Sequence, residues 1–339
     1  MKKVLIGISG GVDSAVAAYL LKEKGYEVIG VTFLLYDDFK YSIDDAKKVC
    51  DSLNIKHIVA DWRSYFNREI IDYFVKSYQN GLTPNPCIKC NEKIKYGKFL
   101  KLADDIGADY IATGHYAKKI KVNDYYSIER ASSLKDQSYF LYRLNQNVLK
   151  RVLFPLFEIS EKEETRDIAR KLNLFVAEKK DSQEICFIND SYREFLKDKI
   201  ESKKTIGNFI DLEGNILGKH EGIWNYTIGQ RKGLNIAFGK PMYVVSIDSD
   251  SKNVVLGSNE DLYVSSLTAS SINWIFEDAY KRNEDVDIKI RYNGSSVKGR
   301  FELIDEKVNV TFYEPVRAVT SGQSVVFYKD NILLGGGII

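Results

Sequence analysis

The sequence predicts an α/β protein: an N-terminal parallel sheet covered by helices, then a small central domain and a C-terminal β-barrel. Over about the first 115 residues, apolar runs typical of buried strands alternate with helical patterns, and such alternation favours parallel crossover connections. From about residue 205 the chain becomes rich in glycine. From about residue 240 to the end, short segments of alternating apolar and polar residues are typical of a small barrel.

The pattern can be divided into elements. Strands are predicted at 3–9, 27–33, 56–61 and 109–114, and helices at 13–24, 43–54, 62–80 and 94–108. A hairpin is predicted over 118–131, turning at Asn123 and Asp124. A helix is predicted over 160–173, because Ser160 and Glu163 have the spacing of a capping box. We expect domains at 1–200, 201–262 and 263–339.

Composition excludes several classes of protein. Of the 339 residues, 44% are hydrophobic and 28% are charged, which is ordinary for a soluble protein with a sizeable core. No stretch approaches the roughly 18 apolar residues of a membrane span. The N-terminal run "MKKVLIGIS" is too short for a signal peptide and has no cleavage site after it. We therefore expect a cytoplasmic protein with no membrane partner. The net charge of +2 decides nothing about nucleic acid, since a balanced total can hide a basic patch.

The first candidate site is the loop "SGGVDS", which joins the first strand to the first helix. Exposed backbone amides and a helix N-terminus favour an anion at such a loop. The lysine of a Walker loop and the third glycine of a dinucleotide fingerprint are both missing. The serine hydroxyls and the amides can still cradle a phosphate chain, and Asp13 is a candidate for placing Mg²⁺. The alternative is a plain tight turn in which Asp13 caps the helix.

The second candidate site contains cysteines. Four cysteines in a chain of this length are not a disulfide framework. Cys87 and Cys90 lie in "TPNPCIKCN", just before a helix expected to open at Asn91, and that position lowers a thiol pKa. Cys186 lies in "DSQEICFI", close to Lys179. The alternative for the pair is two incidental buried thiols, and Cys186 alone is more typical of a buried residue.

Two further polar segments are candidates. His115 in "ATGHYAK" follows a strand at its carboxyl end, the edge where open α/β sheets bind ligands, although a structural histidine is equally compatible. In "KDQSYFL", a cluster of Lys135, Asp136 and Gln137 precedes an apolar helix. The alternative is that these polar residues are simply the solvent-exposed start of that helix.

The loop resembles the pyrophosphate loop of the N-type ATP pyrophosphatases, which adenylate a carbonyl oxygen. The segments "SGGVDS", "TPNPCIKCN", "TGHYA", "KDQSYFL", "DSQEICFI" and "WNYTIGQRKGL", in this order, resemble the tRNA-specific 2-thiouridylases. The resemblance covers nearly the whole chain. It implies an ATP pyrophosphatase domain, a central domain and a C-terminal β-barrel. The implied activity replaces the 2-oxo group of the wobble uridine of tRNA with sulfur.

The resemblance also implies roles for individual residues. ATP would be bound by Gly7, Ile8, Ser9, Gly10, Gly11, Val12, Asp13, Ser14, Phe33 and Gly114. Cys186 would carry sulfur as a persulfide, and Cys90 would resolve it by forming a disulfide. The target base would lie near Asn85, Pro86 and Cys87. Transfer RNA would be contacted by His115, Lys135, Asp136, Gln137, Arg291, Tyr292 and Gln323.

Cys87 leaves two mechanisms open, because many members of the family carry aspartate there. In the first, the persulfide on Cys186 attacks the adenylated carbon and Cys90 resolves it. In the second, Cys87, Cys90 and Cys186 hold a [4Fe–4S] cluster whose open iron binds hydrosulfide. The implied cofactors are ATP and Mg²⁺, with the cluster in the second case. The implied partners are tRNA and a sulfur donor, either a protein or inorganic sulfide.

Two other function classes compete with this hypothesis. One is an adenylating synthetase that acts on a small molecule, which would leave the cysteines and the β domains unexplained. The other is a non-catalytic module that binds tRNA or nucleotide, and the intact loop and cysteine segments argue against it. The sequence leaves the oligomeric state, monomer or weak dimer, open.

Overall fold

The structure of the protein is a computed structural model. It describes residues 1–37, 40–131, 136–179, 185–188, 191–201, 205–234, 239 and 241–339. Lys135, which is among the predicted tRNA contacts, lies outside the described residues.

A five-stranded parallel sheet forms the centre of the N-terminal domain, in the order β3-β2-β1-β4-β7. Its strands are β1 (Lys3–Gly7), β2 (Glu27–Leu34), β3 (Lys56–Asp61), β4 (Tyr110–Ala112) and β7 (Val152–Leu153). Val4, Leu5 and Ile6 are fully buried, as expected for a parallel strand covered on both faces. The four strands predicted in this region are confirmed, and their carboxyl ends share one edge.

Helices cover this sheet on both faces. They are α1 (Val12–Glu23), α2 (Lys40–Ser52), α3 (Arg63–Phe66), α4 (Asp72–Gln79), α5 (Pro86–Cys90), α6 (Phe99–Ile106), α7 (Gln146–Arg151), α8 (Lys162–Lys171) and α9 (Tyr192–Lys197). Two π-helical segments, Asn67–Ile71 and Asn91–Lys98, connect α3 to α4 and α5 to α6. The predicted capping box at the start of α8 is wrong: Glu161 is the N-cap residue and no side chain caps the helix.

The C-terminal strands close into a six-stranded barrel, in the order β12-β15-β14-β13-β16-β17. The strands are β12 (Tyr263–Trp274), β13 (Val286–Lys289), β14 (Val297–Ile304), β15 (Lys307–Arg317), β16 (Ser324–Lys329) and β17 (Ile332–Ile338). Pairing of β12 with β17, for instance Trp274 with Gly335, closes the barrel. The predicted barrel is therefore confirmed.

The predicted hairpin belongs to the barrel sheet as well as to the N-terminal domain. It consists of β5 (Lys118–Val122) and β6 (Tyr125–Glu129), and Asn123 turns it with a φ of +54°. Glu129 pairs with Ile332 of β17, so the hairpin extends the barrel sheet to eight strands. The Ser127 hydroxyl donates to the Leu333 carbonyl at 2.8 Å. One continuous hydrophobic core runs from the parallel sheet into the barrel.

The central part of the chain forms a four-stranded sheet with its own small core. Its strands, in the order β10-β11-β8-β9, are β8 (Gly207–Ile210), β9 (Ile216–His220), β10 (Tyr243–Ile247) and β11 (Val254–Gly257). Phe209, Val244 and Leu256 are buried inside it. The α/β fold class with two β domains is thus confirmed, and the exact boundaries at 200 and 262 remain predictions. No helix in the described part of the chain is long and apolar enough to cross a membrane.

We expect the free energy of unfolding to fall as the pH is lowered from about 7.5 to about 5.5. Burial lowers the pKa of His57, His115 and His220, so near the ordinary histidine pKa of about 6.5 the unfolded chain binds protons that the native protein does not. Urea unfolding at three pH values measures the effect, and NMR titration of the imidazole protons provides the control. Stability that stays constant or rises on acidification would contradict the expectation.

Candidate active site

The loop between β1 and α1 presents bare backbone to solvent. Gly11 is the N-cap of α1, with a φ of −110° and a ψ of 163°, and no side chain caps the helix. Gly10 has a φ of +70°, a conformation that favours glycine. Asp13 lies in the first turn of α1 and does not cap it, so the alternative of a capped tight turn is wrong. The first amides of this helix are therefore available to an anion.

Two serine hydroxyls hold the loop closed. The Ser14 hydroxyl donates to the Gly11 carbonyl at 3.0 Å and accepts from the Ser9 amide at 3.2 Å. The two hydroxyl oxygens are 3.2 Å apart. Ile8 and Val12 are buried on either side of the turn and anchor it in the core. The loop therefore keeps its cradle shape through its own side chains.

The other predicted ATP-binding residues lie against this loop. A Cβ atom on Gly114 would lie 3.0 Å from the backbone of Asp13 and of Ser14. A Cβ atom on Gly7 would lie 3.3 Å from the Phe33 ring, which stacks on Trp62 with ring centroids 4.9 Å apart. A side chain at Gly114 would therefore press on the loop backbone, whereas one at Gly7 would press only on the Phe33 ring. The structure places all of the predicted ATP residues at one sheet edge, with an aromatic wall at Phe33.

Two lysines that the sequence analysis did not assign to this site contact the loop. The Lys162 ammonium donates to Asp13 Oδ1 at 2.6 Å, and the Tyr116 hydroxyl donates to the same oxygen at 2.6 Å. The Lys179 ammonium donates to the Gly10 carbonyl at 2.9 Å. These lysines are 149 and 169 residues away from their loop partners in sequence, so no local motif could have revealed them.

The paired cysteines lie inside a helix, and the predicted helix start at Asn91 is wrong. Helix α5 begins at Pro86, and the side chain of Asn85 caps it by accepting from the Ile88 amide at 3.4 Å. Proline is well suited to the first helical position, which explains the earlier start. Cys87 is exposed and Cys90 is buried on this helix.

Cys186 lies opposite this helix, close enough for its charge to affect both other thiols. The thiolates of Cys87 and Cys186 would each raise the pKa of Cys90, and Cys87 would raise the pKa of Cys186. The Tyr36 hydroxyl donates to the Cys186 carbonyl at 2.5 Å, and the next residue, Phe187, is buried among aromatic rings. The structure thus brings the three predicted cysteines together, and all are free thiols.

The predicted lowering of the thiol pKa is wrong. Burial raises the pKa of Cys90 to about 12. Cys87 and Cys186 are exposed at the surface, but the protein atoms around them still displace enough water to raise the pKa of both thiols, that of Cys186 to about 11. The cost of removing a thiolate from water exceeds the benefit of the helix N-terminus, which falls off within one turn. Lys95 lowers the pKa of all three thiols and is the nearby cation that partly offsets burial.

The three thiols do not form a preorganised metal site. Within the described part of the chain, which includes all three cysteines, no group of three or more His, Cys, Asp or Glu side chains is arranged to hold a metal ion. Mg²⁺ has a different requirement, since it is usually bound by one or two carboxylates together with substrate phosphates, and Asp13 fits that pattern.

His115 is held in a hydrogen-bonded network beside the thiols. Its Nδ1 atom lies 2.8 Å from the Thr113 hydroxyl and 3.0 Å from the Tyr96 hydroxyl. Burial, followed by the charge of Lys95, lowers its pKa well below the ordinary value, so the imidazole is neutral at pH 7. Lys95 therefore acts on His115 and on the thiols alike.

The remaining predicted tRNA contacts lie along the junction with the barrel. Gln323 donates to the Thr83 carbonyl at 2.7 Å, which ties the barrel to the loop that leads into α5. The ring of Tyr292 packs on Phe140 with centroids 4.3 Å apart, while Arg291 is exposed and donates to the Arg317 carbonyl.

Asp136 and Gln137 have structural partners within the N-terminal domain. Asp136 accepts from the Ala131 amide at 2.9 Å and from the Ser138 hydroxyl at 2.7 Å. The Gln137 side chain accepts from the Tyr116 amide at 3.1 Å. Their contact with tRNA remains a prediction.

The fold and the loop define the class: an ATP pyrophosphatase domain of the pyrophosphate-loop type, followed by two β domains. Family models agree along the chain, with "tRNA methyl transferase HUP domain" at residues 2–190, "tRNA methyl transferase PRC-barrel domain" at 193–258 and "Aminomethyltransferase beta-barrel domain" at 264–339.

Curated relatives identify the particular family. The chain is 48% identical to the tRNA-specific 2-thiouridylase MnmA of Clostridium kluyveri and 50% identical to MnmA 1 of Clostridium botulinum strain Hall, over 100% of this chain and 99% of each relative. It therefore belongs to the tRNA-specific 2-thiouridylase family. Among solved structures, the U34-tRNA thiolase NcsA from Methanococcus maripaludis with its [4Fe-4S] cluster matches 58% of this chain and 65% of its own, at 21% identity and a TM-score of 0.36.

We expect Gly114→Ala to weaken ATP binding by about tenfold or more, because the added methyl group pushes on the backbone of Asp13 and Ser14 from 3.0 Å. Isothermal titration with Mg-ATP measures the affinity. The melting temperature of the variant is the control for general misfolding. Unchanged ATP affinity in a folded variant would contradict the close approach.

We expect alkylation of Cys186 by iodoacetamide to accelerate steadily from about pH 7 to about pH 10 without a plateau, because its pKa is raised to about 11. Lys95→Met should slow the reaction further at any given pH, since it removes the charge that lowers that pKa. Lys93→Met is the matched control. Mass spectrometry of the labelled peptide gives the rates, and a plateau below about pH 8.5 would refute the assignment.

Proposed function

We propose that the protein is an ATP-dependent tRNA-uridine 2-sulfurtransferase that converts the wobble uridine of tRNA to 2-thiouridine. One observation carries the proposal: an anion-binding loop for ATP and three mutually interacting thiols belong to the same sheet edge. Tyr36, which contacts Cys186, follows Phe33 by only three residues at the end of β2. Activation of an oxygen and delivery of a sulfur therefore take place at neighbouring positions.

The loop would perform the activation. A uracil carbonyl oxygen is a poor leaving group, so the O2 atom of uridine attacks the α-phosphorus of ATP and pyrophosphate departs. The bare N-terminus of α1 binds the phosphates, and Asp13 places Mg²⁺, which neutralises phosphate charge. The product is an O-adenylated uridine that has AMP as its leaving group.

The thiols would perform the transfer. A persulfide on Cys186 attacks C2 of the adenylated uridine, and AMP leaves with the original oxygen. The Cys90 thiolate then attacks the sulfur of Cys186, which forms a Cys90–Cys186 disulfide and releases the thiocarbonyl. A cellular thiol reductant restores both thiols, and a sulfur-donor protein that carries a persulfide transfers its outer sulfur to Cys186. Inorganic sulfide would instead reload Cys186 by attacking its sulfur in the Cys90–Cys186 disulfide, which forms the persulfide and frees the Cys90 thiolate. Cys87 is exposed and lies close enough to Cys186 for its charge to raise the pKa of that thiol, and we propose that it lies near the base.

The iron–sulfur alternative has one supporting observation, the convergence of three cysteines. The persulfide route needs only the pair Cys90 and Cys186, which lie close enough for the charge of one to raise the pKa of the other, and it is the route that we propose. Iron and labile-sulfide content after anaerobic purification tests the alternative directly. Full activity of Cys87→Ala after metal-free preparation would refute a cluster, whereas a brown protein whose absorbance near 400 nm is lost in Cys87→Ser would refute the persulfide route.

Transfer RNA would bind along the junction between the N-terminal domain and the barrel, in the cytoplasm. The exposed Arg291 and the half-buried Tyr292 suit phosphate and base contacts, and the neutral His115 suits a hydrogen bond to the nucleotide. The base must leave its stack to reach the thiols, at a cost of about a few kcal/mol. A base already in a single-stranded loop costs least to extrude, which favours a wobble position.

Pyrophosphate, AMP and 2-thiouridine, measured separately with unmodified tRNA, test the proposal. We expect the wild type to release pyrophosphate and AMP only when tRNA is present. Cys186→Ser should still release pyrophosphate, because activation needs no thiol, but its 2-thiouridine should fall to background. Cys50→Ser is the matched control for the loss of a thiol, since Cys50 lies in a different hydrophobic cluster from Cys90.

Absence of tRNA-dependent pyrophosphate and AMP release from the wild type would overturn the proposal. AMP formation that depends on a small acceptor instead would indicate a small-molecule synthetase. Binding of ATP and tRNA with no turnover would indicate a non-catalytic module.

A further inference from the structure

The structure supplies two cations to a loop that has none in its own sequence. Lys162 is the first residue of α8, and Lys179 lies beyond the same helix. Their ammonium groups contact the loop at Asp13 and at Gly10, three positions apart. They therefore flank the stretch of backbone that faces the phosphates.

The position of Lys162 is fixed by packing as well as by charge. Its side chain is only 13% exposed, whereas that of its partner Asp13 is 33% exposed. The Tyr116 hydroxyl contacts both Asp13 and the Thr165 hydroxyl of α8, at 2.6 and 2.8 Å. These polar contacts hold helix α8 against the loop. The pair of Lys162 and Asp13 is therefore part of a packed contact and not an isolated ion pair at the surface.

Lys179 is held in a similar way on the other side of the loop. Its ammonium donates to the Gly10 carbonyl at 2.9 Å and to Asp45 Oδ2 at 2.7 Å. The Asp45 side chain is 25% exposed, so the pair is partly shielded from solvent. Asp13 and Asp45 balance the two lysine charges.

We propose that Lys162 and Lys179 bind the β- and γ-phosphates of ATP and stabilise the departing pyrophosphate. The inference rests on the proposed adenylation. A triphosphate carries more negative charge than a helix N-terminus and one Mg²⁺ can neutralise. An ammonium has three donors, so it can bridge a carboxylate or carbonyl and a phosphate oxygen. When the bond between the α-phosphorus and the bridging oxygen breaks, that oxygen takes the electron pair, and both lysines face the growing charge.

The same pair explains how the loop works without a lysine of its own. In a Walker loop the lysine precedes the helix and reaches the β- and γ-phosphates. Here Val12, Asp13 and Ser14 fill the corresponding stretch, and Asp13 instead recruits a lysine from α8. The contact makes the docking of α8 a condition for a complete polyphosphate site.

Nucleotide binding without tRNA or sulfur tests the inference. We expect Lys162→Met and Lys179→Met each to weaken binding of Mg-ATP and of pyrophosphate by about tenfold or more, which is typical of a lost hydrogen bond between charged groups. AMP binding, by contrast, should change less than about twofold. Lys171→Met, at the exposed end of the same helix, is the matched control and should change neither.

Lys162→Gln keeps a donor for Asp13 and replaces Lys162→Met if that variant does not fold. Equal losses of ATP and AMP affinity would show a merely structural role and overturn the inference, as would unchanged ATP affinity. Because the assay contains neither tRNA nor a sulfur source, a selective loss of ATP affinity supports the inference even if thiolation itself proves absent. Conversely, the protein could thiolate tRNA while its lysine variants lose ATP and AMP affinity equally. That result would overturn the inference and leave the proposed function intact.

Discussion

The uncapped N-terminus of α1 is the constraint on which the rest of the site depends. Since Gly11 offers no side chain to the first amides, those amides are left to water or to an anion from outside the protein. The residues around the loop suit an anion at this position. Gly7 and Gly114 allow close packing, and the Ser14 hydroxyl stabilises the turn by donating to the Gly11 carbonyl. An anionic ligand also explains why two lysines, Lys162 and Lys179, lie at the loop and why each is paired with a carboxylate.

At the thiol site, in contrast to the loop, removal from water disfavours negative charge. Burial disfavours a thiolate at all three cysteines, and each thiolate would disfavour the others. Lys95 lowers the pKa of all three thiols, and it acts on His115 too. Burial is thus the largest influence on the thiols, and a lysine on the π-helical segment after α5 partly offsets it.

Local patterns revealed the strands of the parallel sheet, the hairpin and the barrel, because apolar periodicity directly reports which face is buried. They also placed the phosphate loop and the three cysteines, whose residue types determine their chemistry. They failed where distant contacts decide the outcome. The thiol pKa depends on tertiary burial, and Lys162 and Lys179 reach the loop only after α8 has docked. No spacing rule encodes such contacts.

The pairing of β6 with β17 makes the barrel more than an appended module. Without the barrel, β6 would become an exposed edge strand, and the hydroxyls of Tyr139 and Tyr142 would lose their partners at Ser324. Exposed edges invite pairing between chains, so a fragment cut at the start of the barrel would be prone to aggregate rather than fold as a smaller adenylating enzyme. For protein engineering, the practical unit of this molecule is therefore the whole chain: a new RNA-binding domain could be grafted only onto a scaffold that retains β17.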